Sequence, residues 1–426
     1  AEGGTALNLA LKDKAKGRWS GNVRAATGLP KLWESEGFGA RLSAVNQTSL
    51  TAKSNNTGKD IMSENKMLTL DELLRRVSTS TPTPFISTSL GRPGSLDEGR
   101  TRFGRTHIVN VGNVQKVSET GILRTKLYYS DDRNTAVREH GLSYFLADTT
   151  LTRTTTEHGI FNNRELSAAI LFKNDKERSF FSNEIKYAST WKRNRTITRG
   201  DDNNQSETHS DMHSIENNLQ WIRAIGKHHA KLTSVNQYRF MPERLAVIND
   251  STRQQDVKRR QFLSSTQLNL TFNTRRWALE MNAEGRIQVM DIENDYRTMP
   301  LDTTFYENAN INYTALIVQP TITYKHRGLR GTLQMPLNVC HYFGTSVANR
   351  LFFSPNLSLN WDINSRWKIG AKMSINRQEP TVNDSHAMPI LVDYRTFEMS
   401  PINFYGSRSC QKMAYVSYAD YAHMLF

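Results

Sequence analysis

Residues Leu357 to Ile375 constrain the fold of this chain more than any other stretch. Leu357, Leu359, Trp361 and Ile363 alternate with Ser358, Asn360 and Asp362. After the polar break Asn364-Ser365-Arg366, Trp367, Ile369, Ala371, Met373 and Ile375 alternate with Lys368, Gly370, Lys372 and Ser374. Successive side chains of a strand point to opposite faces, so a period of two on both sides of a short break predicts a β-hairpin with one apolar face. The other face carries Asp, Asn and Lys, which suits water.

The unit recurs. Leu268, Leu270 and Phe272 lead through Asn273-Thr274-Arg275-Arg276 to Trp277, Leu279, Met281 and Ala283, which alternate with Glu280, Asn282 and Glu284. Val318, Pro320, Ile322 and Tyr324 precede a turn at residues 325–328, and Leu333, Met335, Leu337 and Val339 come after it. Pro320 and Pro336 each remove a ladder donor and predict breaks or bulges in that hairpin.

The connections add a rule. Short turns are predicted near residues 118–120, 174–178, 226–228, 273–276, 325–328 and 364–366. Long polar connections are predicted near 132–164, 193–210, 241–258, 291–309, 341–350 and 377–395. Short and long alternate, as in an antiparallel up-and-down transmembrane β-barrel with tight turns on one rim and long loops on the other. A Greek-key sandwich has no reason to sort loops this way, and no fixed repeat period points to a solenoid. Counting between connections gives about 15–16 strands. Leu142 to Leu146 is assigned to a long loop, since a further spanning strand there would upset the up-down parity. The stretch Met62 to Arg102, with a helical-looking Leu68 to Arg75, is also assigned to a loop insertion.

Composition agrees with a barrel. Hydrophobic residues make up 37% of the 426, and mean hydropathy is −0.59. No run approaches the roughly 20 apolar residues of a membrane helix, whereas barrel strands are apolar on one face only. The net charge of +14 is spread along the chain. The clusters Lys258-Arg259-Arg260 and Trp191 to Arg195 read as solvated or interfacial flanks, not as a nucleic-acid surface. Trp191, Trp221, Tyr238, Trp277, Tyr324, Trp361 and Trp367, with Tyr128, Tyr129 and Tyr342, fall near predicted strand ends, where barrels place aromatic girdles.

Little in the sequence carries chemistry. His209 and His213, the pair His228-His229, and Asp201-Asp202-Asn203-Asn204 are too few or too loosely spaced for a metal site. They read as solvated loop or turn residues. Cys340 and Cys410 form neither a disulfide framework nor a metal spacing. No phosphate loop, nucleophile elbow or zincin helix is present. No catalytic, cofactor-binding or metal residue is assigned, no cofactor is expected, and the chain is not expected to be an enzyme. Leu268, Leu270, Leu279, Met281, Leu359, Trp361, Ile369 and Met373 are expected to face lipid. Asn269, Glu280, Asn282, Asn360, Lys368 and Lys372 are expected to face the lumen.

Residues 5–28 contain Leu7-Asn8-Leu9-Ala10-Leu11-Lys12 and then Lys16-Gly17-Arg18-Trp19-Ser20-Gly21-Asn22-Val23. The pair resembles the junction of plug and barrel in TonB-dependent receptors of Bacteroidota. Asn55-Asn56-Thr57-Gly58-Lys59-Asp60, Arg105-Thr106-His107 and Tyr128-Tyr129-Ser130-Asp131-Asp132 resemble later motifs of that family, in the same order. The resemblance runs along the chain and is strongest over the first 190 residues. It implies that residues 1–15 end a plug domain and 16–426 form the transmembrane barrel. It also implies a fragment lacking most of the plug and the last strands, since a plugged transporter of this type has about 22. The implied location is the outer membrane, and the implied function is uptake of a bulky nutrient whose identity is unknown. Implied partners are outer-membrane lipids, the plug of the full-length chain and, through the plug, the TonB complex; nucleic acid is not among them. The alternative is a barrel that binds, adheres or supports the envelope without transporting.

Overall fold

A computed structural model describes residues 17–62, 84–86, 103–145, 147–200, 203–226, 228–249, 251–299, 303–343, 348–378, 386–392, 396–400 and 407–419. The stretches 1–16 and 68–75 and the pair Asp201-Asp202 lie outside the described residues. Among the described residues no helix is long and apolar enough to cross a membrane.

The chain divides into two compact units. The first contains β1 (Trp19–Gly28), β2 (Leu32–Leu42), β3 (Asn46–Asn55), β4 (Phe103–Lys116), β5 (Gly121–Phe145) and most of β6 (Thr150–Lys176). Each of these pairs antiparallel with the next. β7 (Ser179–Gly200) gives residues to both units.

The second unit contains β8 (Asn204–Ile225), β9 (His228–Ile248), β10 (Thr252–Asn273), β11 (Trp277–Met299), β12 (Thr303–His326), β13 (Leu329–Gln334), β14 (Leu337–Phe343), β15 (Ala348–Phe353), β16 (Asn356–Asp362), β17 (Trp367–Gln378) and β20 (Ser407–Tyr418). These too succeed one another as an antiparallel meander, β17 pairing with β20. Between those two, β18 (His386–Leu391) and β19 (Phe397–Ser400) form a separate small hairpin. The fold is all-β, antiparallel and up-and-down.

β13 with β14, and β15 with β16, are single strands interrupted at proline, because β12 pairs with both halves of the first. Counted so, and without the small hairpin, the described residues make sixteen traverses, in agreement with the sequence expectation. Proline cannot donate to a ladder, but its carbonyl still accepts. Met335 N–H donates to Pro320 O at 3.0 Å, Ser354 to Pro336 at 3.1 Å and Ile375 to Pro355 at 3.0 Å. Pairing therefore carries across the breaks, and the register holds on both sides.

Two of the predicted tight turns show their local cause in the described residues. Arg327 and Gly328 both have positive φ, 45° and 80°, the geometry of a two-residue type I′ hairpin turn. A Cβ on Gly328 would lie 2.3 Å from Asp362 O. Asn364 Oδ1 accepts from the N–H groups of Arg366 and Trp367, both at 2.9 Å, which closes the turn between β16 and β17. In the first unit the resembling loop after β3 is tied down by Asn56. Its Oδ1 accepts from Trp33 N–H at 2.7 Å, and its Nδ2 donates to Lys31 O at 2.9 Å.

The predicted long connections are different. β5 and β6 pair continuously out to Phe145↔Thr150, so Leu142 to Phe145 are strand and not loop. Strands reach Gly200, Ile248 and Met299 and resume at Asn204, Thr252 and Thr303, so strand covers most of 193–210, 241–258 and 291–309. Residues 341–350 are largely β14 and β15, and the 377–395 stretch contains β18. The strands extend well past the length a single alternating pattern predicts.

Candidate functional site

Strand β11 shows what the extra length does. From Trp277 to Val289 its odd positions read Trp, Leu, Met, Ala, Gly, Ile, Val, and its even positions Ala278, Glu280, Asn282, Glu284, Arg286 and Gln288 are mostly polar. Beyond Val289 the assignment reverses. Asp291, Glu293, Asp295 and Arg297 continue the odd face, and Met290, Ile292, Asn294, Tyr296 and Thr298, all buried, continue the even one. We call the face of Trp277 the open face and the other the covered face.

The register carries this inversion across the unit. Leu270↔Met281 and Met281↔Pro320 lie on the open face, as do Gly331↔Leu359, Leu359↔Ala371 and Leu357↔Met373. Asn269↔Asn282 lies on the covered one. The expected lipid-facing and lumen-facing sets therefore occupy opposite faces. Near the tight turns the open face carries Trp221, Trp277, Tyr324, Trp361, Trp367 and Tyr418, with ring pairs Trp277–Tyr324 at 4.6 Å and Trp367–Tyr418 at 4.9 Å. One polar interruption occurs midway along β9 and β10. There Ser234 and Thr266 hydroxyls meet at 3.0 Å and Ser264 Oγ donates to Asn236 at 2.7 Å, so these groups satisfy one another.

Beyond the inversion the covered face forms a buried cluster. Leu245, Val247, Val257, Met290 and Ile292 line it from β9, β10 and β11, and Ile311, Tyr313, Cys340, Tyr342 and Phe352 continue it. Two segments from outside the meander pack against these side chains: Phe85-Ile86 and Ile390-Leu391-Val392. Tyr296 stacks on Phe305 at 4.7 Å and meets Phe397 of β19 edge-on at 5.6 Å.

Polar groups within this apolar wall hold the two segments. Glu243 on β9 accepts from the Ile86 N–H through Oε2 at 2.8 Å. Its other oxygen is 3.6 Å from the guanidinium of Arg259 on β10, whose Cζ sits 4.0 Å from the Phe85 ring centroid. Both side chains are essentially without solvent, so pairing and ring contact replace hydration. Gln255, two turns of the pleat from Arg259, accepts from the Leu391 N–H at 2.6 Å. Its Nε2 donates to Asn294 Oδ1 at 2.7 Å and approaches Pro389 O at 3.4 Å. Asn294 is 1% exposed, and its Nδ2 has no hydrogen-bond partner among the described residues.

Several sequence readings change. Within Lys258-Arg259-Arg260 only the outer two are solvated, and Arg259 is fully buried. His209 and His213 are on β8 and His228-His229 begin β9, so neither pair is a loop or turn. His213 stacks against Phe240, and no group of three potential metal ligands forms among the described residues. Cys340 is buried in the cluster, with Tyr313 Oη at 3.5 Å, and Cys410 is exposed. Glu243, Gln255 and Asn294 were not singled out from sequence, and Arg259 was read only as part of a solvated basic cluster. Their signal was the change of parity: apolar residues are even at 268–272 and odd at 245, 247 and 257.

No protein-family model and no curated protein matches the chain. Solved outer-membrane proteins are similar to it at low identity. The ferric-catecholate import receptor Fiu from E. coli K12 is 7% identical with a TM-score of 0.38, over 82% of this chain and 69% of its own. The ferric yersiniabactin uptake receptor FyuA from Yersinia pestis is 8% identical with a TM-score of 0.41, over 85% of this chain and 62% of its own, so the chain spans less than two thirds of that receptor. The copper transporter OprC is 8% identical with a TM-score of 0.32, over 95% and 74%. Likenesses of this size assign neither family nor activity.

Proposed function

We propose that the chain is the barrel of an outer-membrane receptor of the TonB-dependent type that takes up a bulky nutrient. The observation that carries the reading is the inversion along β11. Thirteen residues from Trp277 to Val289 span about 40 Å along the strand. At a tilt of about 45° that gives roughly 28 Å of height, close to the ~25 Å apolar band of outer-membrane barrels. The band starts at a row of Trp and Tyr and ends at a row of charges. An open face of this composition is stable against lipid at one end and against water at the other. The covered face then lines the interior, wet beside the tight turns and closed by the buried cluster beyond. The order of sequence motifs resembling Bacteroidota receptors supports the TonB-dependent type, and the ligand is read as entering from the side of the long strands.

The test is fractionation of the native full-length product, then electrophoresis with and without boiling. Recovery in the outer membrane with a heat-dependent mobility shift is the expected result. Recovery as a soluble monomer overturns the reading.

A further inference from the structure

The two segments seated on the covered face share a sequence. Pro84-Phe85-Ile86 and Pro389-Ile390-Leu391 are each proline and then two bulky apolar residues, some three hundred positions apart in the chain. They also share a contact. In each, the backbone N–H of the third residue donates to a buried side-chain oxygen of the wall: Ile86 to Glu243 at 2.8 Å, Leu391 to Gln255 at 2.6 Å. The two acceptors stand on neighbouring paired strands, Glu243 being opposite Val257 and Gln255 opposite Leu245. The third residue's side chain is buried each time, Ile86 at 1% and Leu391 at 0% exposure.

We infer that this wall is a binding site for extended peptides carrying a proline–bulky–bulky sequence, filled here by two segments of the chain itself. Main-chain recognition by buried side chains suits a peptide, because every residue offers the same carbonyl and every residue except proline the same N–H. Apolar neighbours select the two residues after the proline. Proline fixes its own φ and so reduces the ordering a peptide must undergo on binding. Arg259 over the Phe85 ring adds a preference for an aromatic residue at the second position of one site. The unused Asn294 Nδ2, buried beside Gln255, is a donor that a further peptide carbonyl can take. Peptide is thereby the ligand class of the uptake reading, on which the proposal rests for the ligand's passage but not for its binding.

A segment joined to its own site competes at an effective concentration of the order of millimolar. The test therefore compares occupied and vacated sites in full-length protein purified in detergent. The probe is a fluorescent, end-capped Thr-Pro-Phe-Ile-Ser peptide, with an analogue methylated on the isoleucine nitrogen. The double variant Phe85→Ser, Ile86→Ser is expected to bind the probe at least tenfold more tightly than the natural chain. The methylated analogue is expected to lose at least tenfold, because it cannot donate to Glu243. Equal binding of the two peptides, or none by a variant that keeps its heat-dependent mobility, overturns the inference. If the variant does not fold, hydrogen exchange on the natural chain decides. Saturating probe should speed exchange at the Ile86 amide at least tenfold, and unchanged exchange overturns the site. A protein recovered in the outer membrane but blind to the probe loses only the peptide site. One that binds the probe but is soluble loses only the uptake reading.

Discussion

The two halves of β9–β12 share one continuous ladder and carry opposite side chains. Beside the tight turns the apolar residues are on the open face and the polar ones on the covered face. Beyond Val289 the charges are on the open face, and the covered face carries the largest apolar cluster of the unit. Backbone pairing does not distinguish the halves; what lies against each face does. On the proposed reading the first half meets an apolar surrounding on its open face and water on its covered one. The second is a conventional core, with water outside and chain inside.

The sharpest contrast is between two glutamates on the covered face. Glu243 lies in the second half, buried against Arg259 and the Ile86 N–H. Glu280 lies in the first half and is exposed. Replacing Glu243 by Ala leaves the Arg259 charge buried without its carboxylate and should cost about 3–5 kcal/mol. Glu280→Ala should stay within about 0.5 kcal/mol, as surface changes usually do. Denaturant titration of both variants in detergent measures the difference, and equal midpoints would dissolve the contrast between the halves.

The same inversion explains what was legible in the sequence. The hairpins 268–283 and 357–375 were readable because each of their strands keeps one parity over the length of the hairpin. Asn364 and Arg327-Gly328 announced their turns through residues whose chemistry the turn needs. The second halves were taken for loops because the apolar parity changes inside one strand. On β10 it passes from even at Leu268 to odd at Val257. A change of phase in one strand looks like the end of that strand unless the environment is allowed to change instead. The candidate site was hidden for a related reason. Glu243, Gln255 and Arg259 lie in polar-looking stretches, and their partners Ile86 and Leu391 are distant in sequence, so only the fold brings them together.

Two leucines test the packing side of the contrast. Leu245, fully buried in the second half, should lose about 2–5 kcal/mol on replacement by Ala. Leu268, 40% exposed on the open face of the first half, should lose much less in detergent, where surfactant can fill the space left. Similar losses at the two positions would mean that the open face is packed against protein.

The open face can then be tested at two heights of β12. Leu316 lies within the proposed apolar band and Asn308 beyond it, both on the open face. In bilayers Leu316→Arg should cost about 2–4 kcal/mol, and Asn308→Arg about 0–1. Folding into lipid vesicles, read by the heat-dependent mobility shift, gives both values. Equal tolerance of arginine at the two heights would remove the membrane from the first half.

The smallest effect is expected from the charges just past the band. The Glu293 carboxyl accepts from Arg260 at 2.7 Å, and this hydrogen bond holds it below the usual carboxylate range, with Lys258 helping at 3.6 Å. Asp295 is lowered in the same way by Arg297. A carboxyl lowered on folding adds stability that is complete above its unfolded pKa, about 4.3 for Glu, and is lost as pH falls through the lower folded value. Melting temperature should therefore decline on acidification below about pH 4, and Glu293→Gln should flatten part of that decline. Because these side chains are solvated, the difference between natural chain and variant should be small and should shrink further at about 1 M salt. A decline that the variant leaves whole and salt leaves untouched would place the acid-sensitive group elsewhere, on the covered face and not among the open-face charges.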